Sequence, residues 1–237
     1  MHVASLTFLR EKYPAADSYP FSLDVFRKTG GLTFAAPVTI FAGENGSGKS
    51  TLLKAIARKA GIHIWSGIER QRPHYNEFEN ELCNYIELGW TDEPVPGSFF
   101  ASEIFINFAQ NVDEWASLSP GTLDLYGGRP LTSQSHGQCH MSYFSNRYRK
   151  RGLHLLDEPE NALSPRRQLE LVRIIRECAS AGDSQFIIAT HSPIIMACPG
   201  SVIYSFDRIP IAPILYEETD HYMLYKSFMN DRKSYLP

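Results

Sequence analysis

Apolar residues recur along this chain with two different periods, and the change from one to the other marks its elements. "VTIFAGENGSGKSTLLKAIARKAG" opens on an apolar, β-branched run, crosses a glycine-rich turn and continues with Leu52, Leu53, Ile56 and Ala57 on one helical face. That pattern predicts strand, loop and helix, with Gly61 as the closing cap. Further on, "LHLLDEP" reads as a short apolar strand, "SPRRQLELVRIIRECASAG" as an amphipathic helix and "SQFIIATHS" as another buried strand. Strands that alternate with helices predict an α/β fold around a mostly parallel sheet. Residues 62 to 130 are harder to read, because Pro73, Pro94, Pro96 and Gly97 interrupt them. Within them "FENELCNYIEL" is helix-like, and "SFFASEIFINFAQ" predicts a buried strand running into a helix. "QCHMSYFSNRYRKRG" has a helical pattern, and the tail from about Tyr216 predicts a helix whose aromatic residues pack into the core.

Composition narrows the class. At 237 residues the chain can bury one α/β core without a disulfide or structural metal, and one domain over 1–237 is expected. An apolar share of 43% with 21% charged residues excludes collagen-like, coiled-coil and disordered classes. A net charge of -3 gives no global pull towards nucleic acid or anionic lipid. Cys83, Cys139, Cys178 and Cys198 are scattered without zinc spacing, which fits a reduced, cytoplasmic protein. Arg10, Glu11 and Lys12 break the N-terminal apolar run before it reaches signal-peptide length, and no run is long enough to cross a bilayer, so direct membrane insertion is not expected.

The chemistry begins at Gly43-Glu44-Asn45-Gly46-Ser47-Gly48-Lys49-Ser50, which matches G-x-x-x-x-G-K-[ST]. Glycines let successive N–H groups turn towards phosphate oxygens, and the helix that follows adds its positive end. Lys49 is expected to reach the β and γ phosphates of ATP, Ser50 to ligate Mg²⁺, and Thr51 to bond the α phosphate. Far downstream, an apolar strand ends in Asp157-Glu158. Asp157 is suited to hold Mg²⁺ together with Ser50, and Glu158 to polarise the attacking water. His191 ends another buried strand, where α/β sheets gather their ligand groups, and is read as a γ-phosphate sensor.

Taken together and in this order, these residues resemble the ABC-type ATPases. "GENGSGKST" is similar to that family's Walker A motif and "LLDEPENALSP" to its Walker B and D-loop run, which implies Glu158 as catalytic glutamate and Asn161-Ala162-Leu163-Ser164 as D-loop. "ATHS" resembles its switch-histidine motif, and Ser135-His136-Gly137-Gln138 stands where the family carries its signature, usually Leu-Ser-Gly-Gly-Gln. The resemblance runs from the strand before Gly43 to beyond His191, and within the family the chain looks like short, stand-alone bacterial AAA-family ATPases.

The resemblance implies a P-loop nucleotide-binding domain with a helical insert at about 62–150, catalytic Glu158, Lys49 and His191, and ATP with Mg²⁺ as cofactors. It also implies a homodimer in which each signature caps the γ phosphate held by the other chain, with motion passed to an effector protein or nucleic acid. Departures from the family pattern are His136 in place of Gly, Gln134 in place of Leu, and no clear Q-loop glutamine. Glu103 is the Q-loop candidate and Gln71 the poorer one, while Tyr13, Tyr19 and Arg10 are candidates for the adenine contact. Two alternatives share this reading: a transporter's nucleotide-binding subunit, and an ATP-sensing module of low turnover. "NRYRKRG" is a basic cluster that could contact DNA but reads more simply as a solvated face.

Overall fold

The computed structural model describes residues 1–65 and 76–236. In chain order they form β1 (Val3–Phe8), α1 (Asp24–Lys28), β2 (Gly31–Thr33), β3 (Val38–Ala42), α2 (Lys49–Lys59), β4 (Ile86–Trp90), β5 (Gly97–Ala101) and α3 (Phe105–Leu118). There follow α4 (His136–Arg147), β6 (Gly152–Asp157), α5 (Pro165–Ser180), β7 (Ser184–Ala189), α6 (Pro193–Met196), β8 (Val202–Ser205), β9 (Ala212–Ile214) and α7 (Asp220–Asn230).

Six strands make the main sheet in the order β5-β6-β7-β3-β8-β9. The first five run parallel, and β9 closes the edge antiparallel to β8. Every residue of β3, β6 and β7 is buried, so these strands read in sequence as unbroken apolar runs rather than alternations. Alternation survives in where the residues pack. Leu153, Leu155, Ile187 and Ala189 join one core cluster with α1, α2 and the smaller sheet, while Leu156, Phe186 and Ile188 join the other with α3, α4 and α5. The sheet is thus covered on both faces, as a parallel sheet requires.

A second, antiparallel sheet of order β2-β1-β4 lies outside the expected architecture. It corrects the reading of "FENELCNYIEL" as a helix: only Glu81–Tyr85 turns, as a 3₁₀ segment, and from Ile86 the chain extends against β1, pairing Ile86 with Phe8 and Glu87 with Thr7. The physical reason is the exposed hydrogen-bonding edge of β1, a partner encoded some eighty residues upstream that local periodicity cannot reveal. Gln185 ties the two sheets together. Its fully buried amide accepts from the backbone N–H groups of His2 and Val3, each at 2.8 Å, and donates to Val3 O at 2.8 Å.

The 62–150 insert is likewise only partly helical. Its β4 and β5 belong to the two sheets, and among the described residues its α-helices lie within 105–147. The C-terminal tail forms a helix as expected, but α7 buries none of its residues, and Met223, Leu224, Tyr225 and Met229 are exposed. Its aromatics are therefore not core. Local periodicity foretold the helix, whereas which surface it meets is a tertiary matter.

Candidate functional site

The C-terminal ends of the five parallel strands bring the candidate residues together. The glycine loop leaves β3, Ser102-Glu103 follow β5, Asp157-Glu158 end β6, His191 follows β7, and Asp207 follows β8. Loops at this edge are where open α/β sheets place their ligand groups.

Gly48 caps α2 at φ 103°, a left-handed conformation that side chains resist, and a Cβ there would stand 3.0 Å from Phe26 Cζ. Lys49 opens the helix almost wholly buried, and its Nζ donates to Gly43 O at 2.7 Å and Glu44 O at 2.8 Å. Burial pulls its pKa below the usual lysine value, against the attraction of Asp207, Glu158, Asp157 and Glu44. Next along, the Ser50 hydroxyl donates to Asp157 Oδ1 at 2.7 Å. Asp157 is itself 7% exposed, and burial raises its carboxyl pKa against the opposing pull of Ser50. The Thr51 hydroxyl shares a short hydrogen bond with Tyr19, a half-exposed ring beside the loop.

Glu158 and Ala162 are the non-glycine residues with positive φ among those described, at 46° and 71°. Such conformations cost about 1–3 kcal/mol each and gather at functional loops. The turn is held by Asn161, whose Nδ2 donates to Glu158 Oε2 at 2.9 Å, and by Ser102, whose hydroxyl donates to Glu158 O at 2.8 Å. His191 Nε2 lies 3.8 Å from Glu158 Oε1. Burial, then the Lys49 and His221 charges, hold His191 below its usual pKa, so a neutral ring faces the carboxylate. That Nε2 is shielded from solvent and has no hydrogen-bond partner among the described residues.

Ser135 starts α4 as a reciprocal cap. Its Oγ accepts from the Gln138 backbone N–H at 3.4 Å, while Gln138 Oε1 accepts from Ser135 N at 3.2 Å and Ser135 Oγ at 3.1 Å. This is the structural role of the awkward Ser-His-Gly-Gln stretch within its own chain. Gly137 approaches the 161–164 loop so closely that a Cβ would stand 2.8 Å from Ala162 O. Within the same loop Leu163 is buried, and Ser164 is the N-cap residue of α5. A groove of about 760 Å³ is lined by His136 and Glu158, with Glu103, Phe105, Leu131 and Asn161 also on its walls. None of its lining comes from the glycine loop.

Tyr13, an adenine candidate, is partly buried: its ring packs on Phe21 at 4.7 Å, its hydroxyl donates to Phe26 O at 3.2 Å, and burial pushes its pKa up to about 12. Arg10 donates to Arg27 O at 3.3 Å on the surface, and Gln71 lies outside the described residues. Arg149, Lys150 and Arg151 are exposed just before β6, at the opposite end of the sheet from the strand-end loops.

Three residues of the site escaped sequence reading. Glu160 Oε1 accepts from the His191 and Ser192 N–H groups at 2.6 and 3.1 Å, which clips the β7 loop to the β6 loop, and burial raises its pKa. Asp207 Oδ1 accepts from Glu44 N at 2.9 Å, which fixes the entry to the glycine loop. His221 Nε2 lies 3.2 Å from His191 Nδ1. Asp207 carried the same signal as Asp157, an acid after an apolar strand; His221 carried none.

Family models described as "AAA domain" and "AAA domain, putative AbiEii toxin, Type IV TA system" match residues 23–58 and 114–197. Among solved structures, the SMC head domain from Thermotoga maritima is 18% identical, with a TM-score of 0.50 over 91% of this chain and 100% of that one. By these two segments and by its fold the chain is similar to AAA/ABC-type P-loop domains. The first matched segment holds the glycine loop, and the second holds Ser135–Gln138, Asp157-Glu158 and His191. Also similar are the archaeal ribosome recycling factor aABCE1 in complex with stalk protein aP1 (18% identity, 79% of this chain and 40% of that one, TM-score 0.47) and an inward-facing metal-chelate type ABC transporter (18%, 81% and 78%, 0.44). None of the curated proteins matches it. No helix among the described residues is long and apolar enough to cross a membrane.

Proposed function

We propose that residues 1–237 act as one cytoplasmic, Mg²⁺-dependent ATPase domain that closes as a homodimer on two ATP molecules and passes the change on opening to an effector protein or nucleic acid. The observation that carries this reading is the pairing of Ser50 with Asp157. It sets a hydroxyl and a carboxylate oxygen side by side at the N-terminus of α2, a donor set of the hard-oxygen type that suits Mg²⁺ beside phosphates. When bound, that cation supplies charge neutralisation at the β and γ oxygens.

The chain's own groups divide the remaining work. Backbone N–H groups from Glu44 to Thr51 cradle the phosphates, and Lys49 exchanges its carbonyl partners for β and γ oxygens. Glu158, held in its strained turn by Ser102 and Asn161, polarises the water that attacks the γ phosphorus, and His191 donates from Nε2 to a γ oxygen. Glu103, which lines the same groove as Glu158, holds a metal-bound water. The 161–164 loop carries contact between the Glu158 turn and the start of α4. Ser135, His136, Gly137 and Gln138 close over the ATP of the second copy, with the positive end of α4 behind them. Reduced cysteines support the cytoplasmic assignment.

Steady-state phosphate release from purified protein, with and without Mg²⁺ and with and without DNA, tests the reading. Mg²⁺-dependent turnover abolished by Glu158→Gln supports it; turnover indifferent to both removes it. A second reading, an ATP-sensing module of low turnover, is favoured by the capping bond that already engages the Ser135 hydroxyl with Gln138. Tight ATP binding with negligible phosphate release would select it.

A further inference from the structure

The contact between His191 and His221 is not explained by the nucleotide chemistry alone. His221 lies in the first turn of α7, the helix that buries none of its residues. That helix is anchored at its start: Thr219, 2% exposed, accepts from Tyr222 N at 3.2 Å and donates to Tyr216 O at 2.8 Å. From there the His221 ring reaches His191, with centroids 5.2 Å apart and Nε2 to Nδ1 at 3.2 Å. Asp220 and His221 also share with Glu44 the walls of a 480 Å³ pocket, so this turn borders the glycine loop.

A neutral imidazole carries one ring proton, and the partner of one nitrogen decides where it resides. Two arrangements satisfy the 3.2 Å contact. If His191 donated from Nδ1, its Nε2 would be a lone pair facing the Glu158 carboxylate and unable to donate to a phosphate oxygen. If His221 donates from Nε2, His191 Nδ1 accepts and His191 Nε2 holds the proton. Only the second makes the shielded, unpartnered Nε2 a donor.

We propose that His221 is a positioning residue, which donates its Nε2–H to His191 Nδ1 and thereby holds the proton of His191 on Nε2. The inference rests on the reading of His191 as the γ-phosphate sensor, and it makes the first turn of α7 the point at which the C-terminal helix and that sensor are coupled. His221 itself touches no substrate. It acts through the ring of His191.

The decisive measurement is the tautomer of His191 in the full chain labelled with ¹⁵N-histidine, read from long-range ¹H–¹⁵N correlations at pH 8 and assigned with His191→Gln. The wild type should show a protonated Nε2 and an unprotonated Nδ1 at His191. In His221→Phe the two His191 nitrogens should move towards a mixed tautomer, and His221→Gln, whose amide can donate, should restore the wild-type pattern. Where ATP is hydrolysed, His221→Phe should lower kcat about tenfold, the scale of one lost hydrogen bond, with KM little changed. An unchanged His191 pattern in His221→Phe overturns the inference. A His191→Ala variant with wild-type kcat would instead overturn the sensor reading, so the two failures are distinct.

Discussion

The Ser50 hydroxyl meets Asp157 Oδ1 at 2.7 Å, joining the start of α2 to the end of β6 across 107 positions of sequence. Parallel topology brings them together: β6 lies next to β7, and β7 next to β3, the strand that feeds the glycine loop. Every other strand-end group is placed by the same arrangement.

Glu158 is the group assigned to water activation, and its carboxylate accepts from Asn161 Nδ2 at 2.9 Å. Glu158→Gln should lower phosphate release by about 10²–10⁴, the range for loss of a general base. ATP binding should persist, so the variant should accumulate dimers in gel filtration with ATP and Mg²⁺. Normal hydrolysis by this variant would remove Glu158 from its assigned role.

Lys49 is buried and donates to two loop carbonyls, so its removal costs the fold little: desolvation of the ammonium already opposes those bonds. Lys49→Ala should weaken binding of a fluorescent ATP analogue by at least about tenfold, since a charge-assisted bond contributes about 1.5–3 kcal/mol. Circular dichroism should show the native helix content. Equal affinity in the two proteins would contradict the assignment.

Gly137→Ala tests the contact between α4 and the 161–164 loop. Its new methyl would meet the Ala162 carbonyl oxygen, a backbone atom that cannot swing aside. Overpacking of this kind costs about 1–3 kcal/mol, only partly offset by the better helix propensity of alanine. Urea denaturation should show a lower midpoint at unchanged slope. An equal or higher midpoint would mean that the loop yields freely.

Buried histidines set an acid limit to stability. Burial pushes His140 and His154 down to about 4, and His154 is held neutral between Ser98 Oγ and Lys150 O, at 2.8 and 3.1 Å. The unfolded chain therefore binds these protons first, so stability falls as pH drops from about 6.5 towards 4, by roughly 3 kcal/mol for each ring. Asp157 and Glu160 act in the opposite direction, because burial raises their carboxyl pKa values and protonation favours the folded state. His154→Gln should flatten the decline in denaturation free energy between pH 6.5 and 4.5. A decline as steep as that of the wild type would show that His154 does not titrate in this way.

Much of this was legible in the sequence because it is local. Gly43–Ser50, the apolar run into Asp157-Glu158 and the one into His191 each combine an element with its chemistry inside a dozen residues, and side-chain period and glycine freedom act at that range. The capping role of Ser135 with Gln138 is local in the same way. What the chain could not announce are the pairings between distant segments. Ile86–Trp90 is a strand because β1 offers an edge; Tyr13 packs against the core through Phe21 and Tyr85; α7 lies on the surface with His221 against His191. The sequence by itself determined the elements, the phosphate loop and the strand-end acids. Tertiary structure alone decided which of those ends share one edge and which histidine faces another, because contact between remote residues depends on sheet order and burial, which no local period records.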